Sequence, residues 1–281
     1  MTGKSGFCSF VMVLVVLFSS PVYAEWNIGA KAGYDSNVNR TIDDAVGDTF
    51  LGAYLQYSRL ASGETRLGWT FAASLEGNEF LKNNDLSNAS IILAPGLVFF
   101  PYLTWSINVT PFIQGKIVGD NEQSAYAFGA RINLKQPLGK YFYLGEYYIY
   151  TDSRADQDLY SYTENALGLI LGVNWTRTFF TEVSYEFSRG DSFVTIETED
   201  TVIDTTTNGR GRGYGQHYGY SSTFSSEVYK DQVSRNSIGL TIGMEILPSL
   251  TSHLSYTYST MSGDIGDIDN HNALIGLNYR F

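Results

Sequence analysis

The sequence has almost no cysteine: the one present, Cys8, lies in the first segment of the chain. The remainder therefore offers no disulfide bond, thiol nucleophile or thiolate metal ligand. Long hydrophobic runs are missing as well. After residue 24, no stretch approaches the roughly 18 consecutive apolar residues of a membrane-spanning helix, which excludes a helical membrane protein.

Positive charge is scarce, with 18 Lys and Arg against 29 Asp and Glu and a formal net charge of −11 at pH 7. Phosphate backbones repel such a chain, so we expect no nucleic-acid partner. Aromatic residues and glycine are abundant instead, at 21 Tyr, 17 Phe, 4 Trp and 28 Gly. Strand-forming rings combined with residues that leave space favour a β-sheet protein.

Residues 1–24 are predicted to be a cleaved secretory signal peptide. One basic residue, Lys4, precedes an apolar run over 10–18, and small residues lead up to Ala24. This pattern is typical of export signals. We therefore expect a mature, exported domain of residues 25–281 without cysteine.

Alternation with a period of two dominates the remaining sequence. At its end, apolar or aromatic residues occupy positions 273, 275, 277, 279 and 281, and Asn272, Gly276, Asn278 and Arg280 lie between them. A period of two is that of a β-strand with two different faces. Twelve strands are predicted, at about 25–36, 47–60, 64–77, 88–100, 103–117, 124–136, 140–152, 162–175, 178–189, 232–247, 250–261 and 271–281.

The connections between these strands alternate between tight turns and longer polar links. Turns are predicted at 62–63, 101–102, 137–139, 176–177 and 248–249, and links at 37–46, 78–87, 118–123, 153–161, 190–231 and 262–270. A soluble sandwich would share the strand pattern, but this alternation is typical of a membrane barrel. We predict an all-β fold, a transmembrane antiparallel up-and-down β-barrel of about 12 strands with short periplasmic turns and long extracellular loops.

The longest link, the predicted extracellular loop 190–231, leaves several alternatives open. Five alternatives are open: the loop enters the pore, caps the pore, extends as a hairpin beyond the membrane, binds a surface ligand, or is a plain solvated loop. Aromatic residues gather beside the short turns, where a periplasmic girdle is expected. They are Tyr57, Trp105, Tyr141, Phe142, Tyr143, Trp175, Phe179 and Phe180.

The alternation also assigns charged strand residues to the lumen. Basic residues of strands one to six and acidic residues of strands seven to ten would face each other, setting up a field that selects polar solutes. The predicted pore-lining residues are Lys31, Arg66, Lys116, Arg131 and Lys135, with Glu146, Glu182, Glu186 and Glu245. The residues expected at the constriction are Lys31, Arg66, Lys116, Arg131, Glu146, Glu182 and Glu186.

Small inward residues are predicted to leave room for water. They are Gly29, Gly68, Gly129, Gly168, Gly172, Gly239, Gly243, Gly276, Ser106 and Ser184. Barrels of about 8 strands are filled by side chains and those of about 16–18 hold a water channel, so twelve lies between. Two hypotheses follow: a porin-like channel for passive passage of small polar or charged solutes, or a closed barrel, plugged by paired charges, whose loops bind a partner or ligand.

A third hypothesis is a lipid-modifying enzyme that uses His253 and Ser255. Two-residue spacing places a base and a hydroxyl on one strand face. The alternation directs both into the lumen near a predicted periplasmic turn, away from outer-leaflet lipid, so no enzymatic activity is expected. The acidic segment 263–270 carries oxygen ligands, but its spacing differs from that of a calcium loop. We predict no metal site and no cofactor.

The terminal Tyr279-Arg280-Phe281 is similar to the aromatic-ended signal of Gram-negative outer-membrane β-barrel proteins, which residues 25–281 as a whole resemble. Residues 32–40, AGYDSNVNR, also resemble the first-strand motif of porin-like barrels and of surface lipoprotein assembly modifier barrels. The resemblance implies residence in the outer membrane, contact with its lipid and lipopolysaccharide, and recognition of Phe281 by the barrel assembly machinery. The oligomeric state is left open.

Overall fold

The computed structural model describes residues 24–61, 66–102, 104–196, 218–221, 223 and 226–281. The predicted signal peptide therefore lies outside the described residues except for its last position. Thirteen strands form one antiparallel sheet in the described part: β1 (Ala24–Asp35), β2 (Asp48–Arg59), β3 (Leu67–Phe80), β4 (Asn88–Phe99), β5 (Ser106–Val118), β6 (Ala125–Leu138), β7 (Phe142–Ala155), β8 (Tyr162–Asn174), β9 (Phe179–Ile196), β10 (Tyr218–Ser221), β11 (Ser226–Leu247), β12 (Leu250–Ser262) and β13 (Asp267–Arg280).

The sheet closes into a barrel, because β13 pairs with β1 and β11 pairs with β9. Twelve strands make the wall, and the short β10 pairs only with the start of β11. The predicted twelve-stranded barrel is thus confirmed, and the alternative of a soluble sandwich is wrong. At the seam, the backbone N–H of Phe281 donates to the Trp26 carbonyl at 3.0 Å.

The outer face of the wall is apolar, as the alternation predicts. Leu75, Ile91 and Leu97 are each more than half exposed, at 54%, 51% and 56%. A continuous apolar belt of this kind is stable in membrane hydrocarbon and not in water. Near one end of the wall, Trp26 packs on Tyr57 with ring centroids 5.0 Å apart, as in an interfacial girdle.

Helical structure in the described residues is confined to three single 3-10 turns (Asn84–Leu86, Asn121–Gln123 and Asp158–Tyr160). None of the described helices has the length and apolar character needed to cross a membrane.

The two ends of the barrel differ. The short-turn rim carries the links 139–141, 175–178 and 248–249 and the described residues of 60–66 and 100–105. The long-loop rim carries the links 36–47, 81–87, 119–124, 156–161 and 263–266 and the described residues of 197–225. The link 263–266 is shorter than predicted, because β13 already begins at Asp267, opposite Ser262. The predicted turn at 62–63 lies outside the described residues.

Much of the predicted loop 190–231 is an extension of the sheet. β9 continues to Ile196 and β11 begins at Ser226, and the two pair from Gly190–Val233 to Glu227–Ile196. We call residues 190–196 and 226–233 the mouth hairpin. The residues between its strands lie largely outside those described. The described parts of the predicted loop, 190–196 and 226–233, therefore form an added hairpin.

The mouth hairpin packs on the long-loop rim. Val194 is 2% exposed and packs with Met261 and Ile268 of the β12–β13 hairpin. Val228 is 0% exposed and packs with Leu159 of the β7–β8 link. Buried apolar contacts on both sides hold the extension between two parts of the rim.

Candidate functional site

The lumen face carries charged residues that are bridged along the wall. Lys31 of β1 lies with its Nζ 2.6 Å from Oε1 of Glu76 on β3. The pair crosses β2 at Gly52, where a Cβ would lie 2.7 Å from Cε of Lys31. Glycine therefore opens the path between cation and carboxylate.

A second bridge runs from β6 to β9. The Arg131 guanidinium lies over the Tyr147 ring, 4.8 Å from its centroid. The Tyr147 hydroxyl donates to Oε2 of Glu186 at 2.6 Å. Arg131 also donates from Nε to Oδ1 of Asn133 at 2.6 Å. The cation and the carboxylate thus share one tyrosine as an intermediate.

The same arrangement recurs nearer the short-turn rim. Nζ of Lys135 lies 4.5 Å from the centroid of the Tyr143 ring, and the Tyr143 hydroxyl donates to Glu182. Both tyrosines span β8 to reach their carboxylates. Lys135, Arg131, Glu182 and Glu186 lie on the lumen face of the wall.

Two glycines of β8 make these tyrosine bridges possible. Gly168 lies under the Tyr147 ring and Gly172 under the Tyr143 ring, so that an added Cβ would overlap each ring. Inward glycines were predicted to leave room for water. The prediction is wrong here, because rings from the neighbouring strand fill that space.

Three predicted positions differ from the structure. Glu146 lies on the outer face: it is opposite Leu134 and Leu169, and the inward positions of β7 belong to Tyr143 and Tyr147. Tyr143 is accordingly no girdle residue, and neither is Phe180, which lines a lumen cavity.

One predicted pair of opposite charges, Arg131 and Glu186, does not face across the lumen. Arg131 and Glu186 stand three strands apart on one wall, joined through Tyr147. Arg66 precedes β3 at the short-turn rim, and Glu245 lies near the same rim, opposite Thr251. Neither position is in the middle of the wall.

At the long-loop mouth, the central basic residue is Arg40. It lies in the link 36–47, yet its Nη1 donates to the Ser192 hydroxyl of the mouth hairpin at 2.9 Å, and its guanidinium lies 4.5 Å from the centroid of the Phe193 ring. Burial, and secondly the charge of Arg235, lower the pKa of Arg40 to about 10. Arg40 therefore remains charged at neutral pH.

The backbone around Arg40 is held in an unusual conformation. Its φ is +51°, a region that residues with a Cβ rarely occupy. Asn37 fixes the turn: its Oδ1 accepts from Thr41 N at 3.1 Å and its Nδ2 donates to Thr41 O at 2.9 Å. Such strain persists only where the surroundings enforce it, and it is commonest at functional sites.

Thr195 joins this link to the mouth hairpin. Its backbone N–H donates to Arg40 O at 3.1 Å and its hydroxyl donates to Asn39 O at 2.6 Å. From the other side of the mouth, Thr223 donates to Oδ2 of Asp120 at 2.9 Å. The mouth hairpin and the link 36–47 together cover part of the opening.

Two cavities remain beneath this cover, of about 180 and about 360 Å³. Both are lined by Arg40, Lys116 and Arg235, together with Gln123 and Phe193. Lys116 was predicted to line the lumen. Arg235 and Glu164 were not named, although the alternation of their strands places both inward. No alternation marks Arg40, which belongs to a link.

The charges at the mouth are unevenly partnered. Nη1 of Arg235 lies 3.5 Å from Oε1 of Glu164, which also accepts from the Ser188 hydroxyl at 2.7 Å. Within the described ranges, no carboxylate lies at salt-bridge distance from Arg40 or Lys116. Among the described residues, only Arg235 of these three cations therefore has a carboxylate at that distance.

His253 and Ser255 face the lumen, as the alternation predicts. The Ser255 hydroxyl shares a 3.0 Å hydrogen bond with Thr241, and the His253 ring lies over Gly276. Among the described side chains there is no group of three His, Cys, Asp or Glu that could hold a metal ion. This includes the described acidic segment 263–270.

Comparison with known proteins supports the fold. The KdgM porin superposes with a TM-score of 0.51 at 7% identity, over 91% of this chain and 99% of that one. An outer membrane channel from Pseudomonas putida F1 gives a TM-score of 0.59 at 9% identity, over 94% and 97%. No family model matches the sequence, and no curated protein does. The protein is therefore a β-barrel of the outer-membrane type.

Proposed function

We propose that the protein is an outer-membrane channel for passive passage of small polar or charged solutes, narrowed at its long-loop mouth. The observation that carries the proposal is unfilled space at both ends of a polar lumen. Beside the two mouth cavities, two others of about 350 and about 390 Å³ lie toward the short-turn rim. A barrel filled along its whole length by its own side chains would have less space than this.

The fold and outer surface support the location. An apolar belt around a closed barrel fits the outer membrane, and both similar structures named above are a porin and an outer membrane channel. Arg131 and Lys135 are bridged to carboxylates on the same side of the lumen. We therefore expect the space between opposite walls to hold water and solute.

The test is electrical recording from the purified protein in a planar lipid bilayer. We expect stepwise conductance, and higher conductance when residues 191–232 are replaced by a short Gly-Ser linker, because the mouth hairpin covers part of the opening. The same linker variant should still migrate as a heat-modifiable barrel. Absence of steps in a well-inserted sample, over several voltages and salts, would contradict the proposal.

The alternative is a closed barrel whose loops bind a partner, for which the packed mouth hairpin is the structural argument. It predicts a silent wild-type protein, and loss of partner binding in the linker variant, whose barrel stays heat-modifiable. Steps from the wild-type protein would rule it out.

A further inference from the structure

We infer that the long-loop mouth is a binding site for small organic carboxylates, formed by Arg40, Lys116 and Arg235. The inference deepens the proposed function, on which it rests for the claim that the bound anion is the solute. Binding itself can be tested whether or not the barrel conducts.

The charge balance at this place differs from that of the chain. The described residues lining the larger cavity include three cations and one carboxylate, Asp35, and those lining the smaller one include the same cations and two carboxylates, Glu164 and Asp191. The whole chain has a net charge of −11. Two positively lined cavities in an acidic protein mark a local preference for anions.

The acidic groups present are already engaged in part. Glu164 is shared by Arg235 and Ser188, and Asp35 accepts from the backbone N–H of Asn37 at 3.0 Å. Lys116 has no hydrogen-bond or ion-pair partner among the described residues. Its ammonium group is therefore available to a ligand.

Arg40 supplies the directional part of the site. One of its nitrogens is used by Ser192, and the ring of Phe193 supports one face of the guanidinium. Arg40 also lines both cavities. A planar guanidinium matches a carboxylate in a two-point geometry better than it matches a spherical ion.

The backbone conformation of residue 40 indicates that an arginine side chain is required there for function. Arginine at a φ of +51° is disfavoured, and asparagine or glycine would adopt that conformation more readily. The network of Asn37, Thr41 and Thr195 holds the strained residue in the mouth.

The experiment is isothermal titration calorimetry of full-length protein in detergent, with potassium glutarate as the probe and glutaramide as its uncharged counterpart. We expect saturable, salt-sensitive binding of glutarate and none of glutaramide. Lys116→Gln should weaken binding about tenfold, as the loss of one charge-assisted contact does. Arg40→Asn should weaken it at least as much, and asparagine avoids added strain at the positive φ.

Two matched variants serve as controls. Lys135→Gln removes a lumen cation that is bridged near the short-turn rim, and Lys82→Gln removes an exposed cation at the long-loop rim. Both should bind glutarate like the wild type. Unchanged binding in Lys116→Gln and Arg40→Asn, or equal loss in Lys135→Gln, would overturn the inference.

The two proposals can fail separately. Conductance without glutarate binding would leave the channel standing and remove the carboxylate site. Glutarate binding by a barrel that never conducts would confirm the site and remove the channel.

Discussion

The two halves of the lumen treat their cations differently. Toward the short-turn rim, Arg131 and Lys135 lie on tyrosine rings whose hydroxyls hold Glu186 and Glu182. At the mouth, Arg40 and Lys116 have no carboxylate at salt-bridge distance among the described residues. In the first half the protein supplies the counter-charge and uses it to fix the wall. At the mouth, no described carboxylate has that role for Arg40 or Lys116, although Arg235 is paired with Glu164.

The largest expected effect breaks the bridged half. Gly168→Ala places a methyl group where the Tyr147 ring lies, so the ring must move away from its position over residue 168. We expect a loss of about 1–3 kcal/mol in the free energy of unfolding, the usual cost of overpacking. Urea unfolding in lipid vesicles measures it.

The matched control for that variant is Gly145→Ala, on the lumen face of β7. A Cβ there meets Ile170 at an ordinary 3.5 Å, so stability should change by less than about 0.5 kcal/mol. Equal losses of unfolding free energy in the two variants would show that the packing of the Tyr147 ring on Gly168 does not contribute to stability.

The next effect loosens the mouth. Thr195→Val removes the buried hydroxyl that donates to Asn39 O, with little change of shape. The mouth hairpin should lose about 1–2 kcal/mol of local stability, because a buried carbonyl is left unpaired. Hydrogen exchange of the amides in 190–196 should accelerate, whereas the exposed-site control Thr49→Val should leave it unchanged. Protection as in the wild type would argue against this anchor.

A smaller effect distinguishes the charge of Glu186, which the wall bridges, from that of Lys116 at the mouth. Tyr147→Phe removes the hydroxyl that Glu186 accepts from, at a cost of about 1 kcal/mol. Adding Glu186→Gln should recover part of that loss, and a double-mutant cycle measures the coupling. Lys116→Gln, at the mouth, should alter stability by less than about 0.5 kcal/mol. If Lys116→Gln were the more destabilising, the comparison would be reversed.

The smallest effect concerns the Lys31–Glu76 pair. Its side chains are 16% and 35% exposed, so water screens the pair only in part. Lys31→Gln should cost up to about 1 kcal/mol, less at high salt. Chemical unfolding at two salt concentrations tests this, and a cost that does not fall with salt would show that packing, not charge, is lost.

Alternation was sufficient to predict the strands of the wall because facing is a local property of an extended chain. All wall strands except β9, β11 and β13 begin and end within three residues of their predicted limits. At the seam between β13 and β1, Nδ2 of Asn278 donates to Oδ1 of Asn27 at 3.2 Å. The same alternation places Arg235 and Glu164 on the lumen face, so their position could have been predicted.

Glu146 shows where the local rule fails. In β7 both faces carry aromatic residues, Phe142 and Tyr148 on one and Tyr143 and Tyr147 on the other, so composition does not distinguish lipid from lumen. The pairing with β6 and β8 decides it. A register difference of one residue would exchange every side chain between the two faces.

The sequence by itself determined the class of fold, the number of wall strands and the face of most strand residues, because each follows from neighbours along the chain. Only the tertiary structure decided which charges are bridged, since Arg131 and Glu186 meet through Tyr147 across an intervening strand. It alone brought Arg40 into the mouth, because that position depends on contacts with Ser192 and Thr195, far away in sequence.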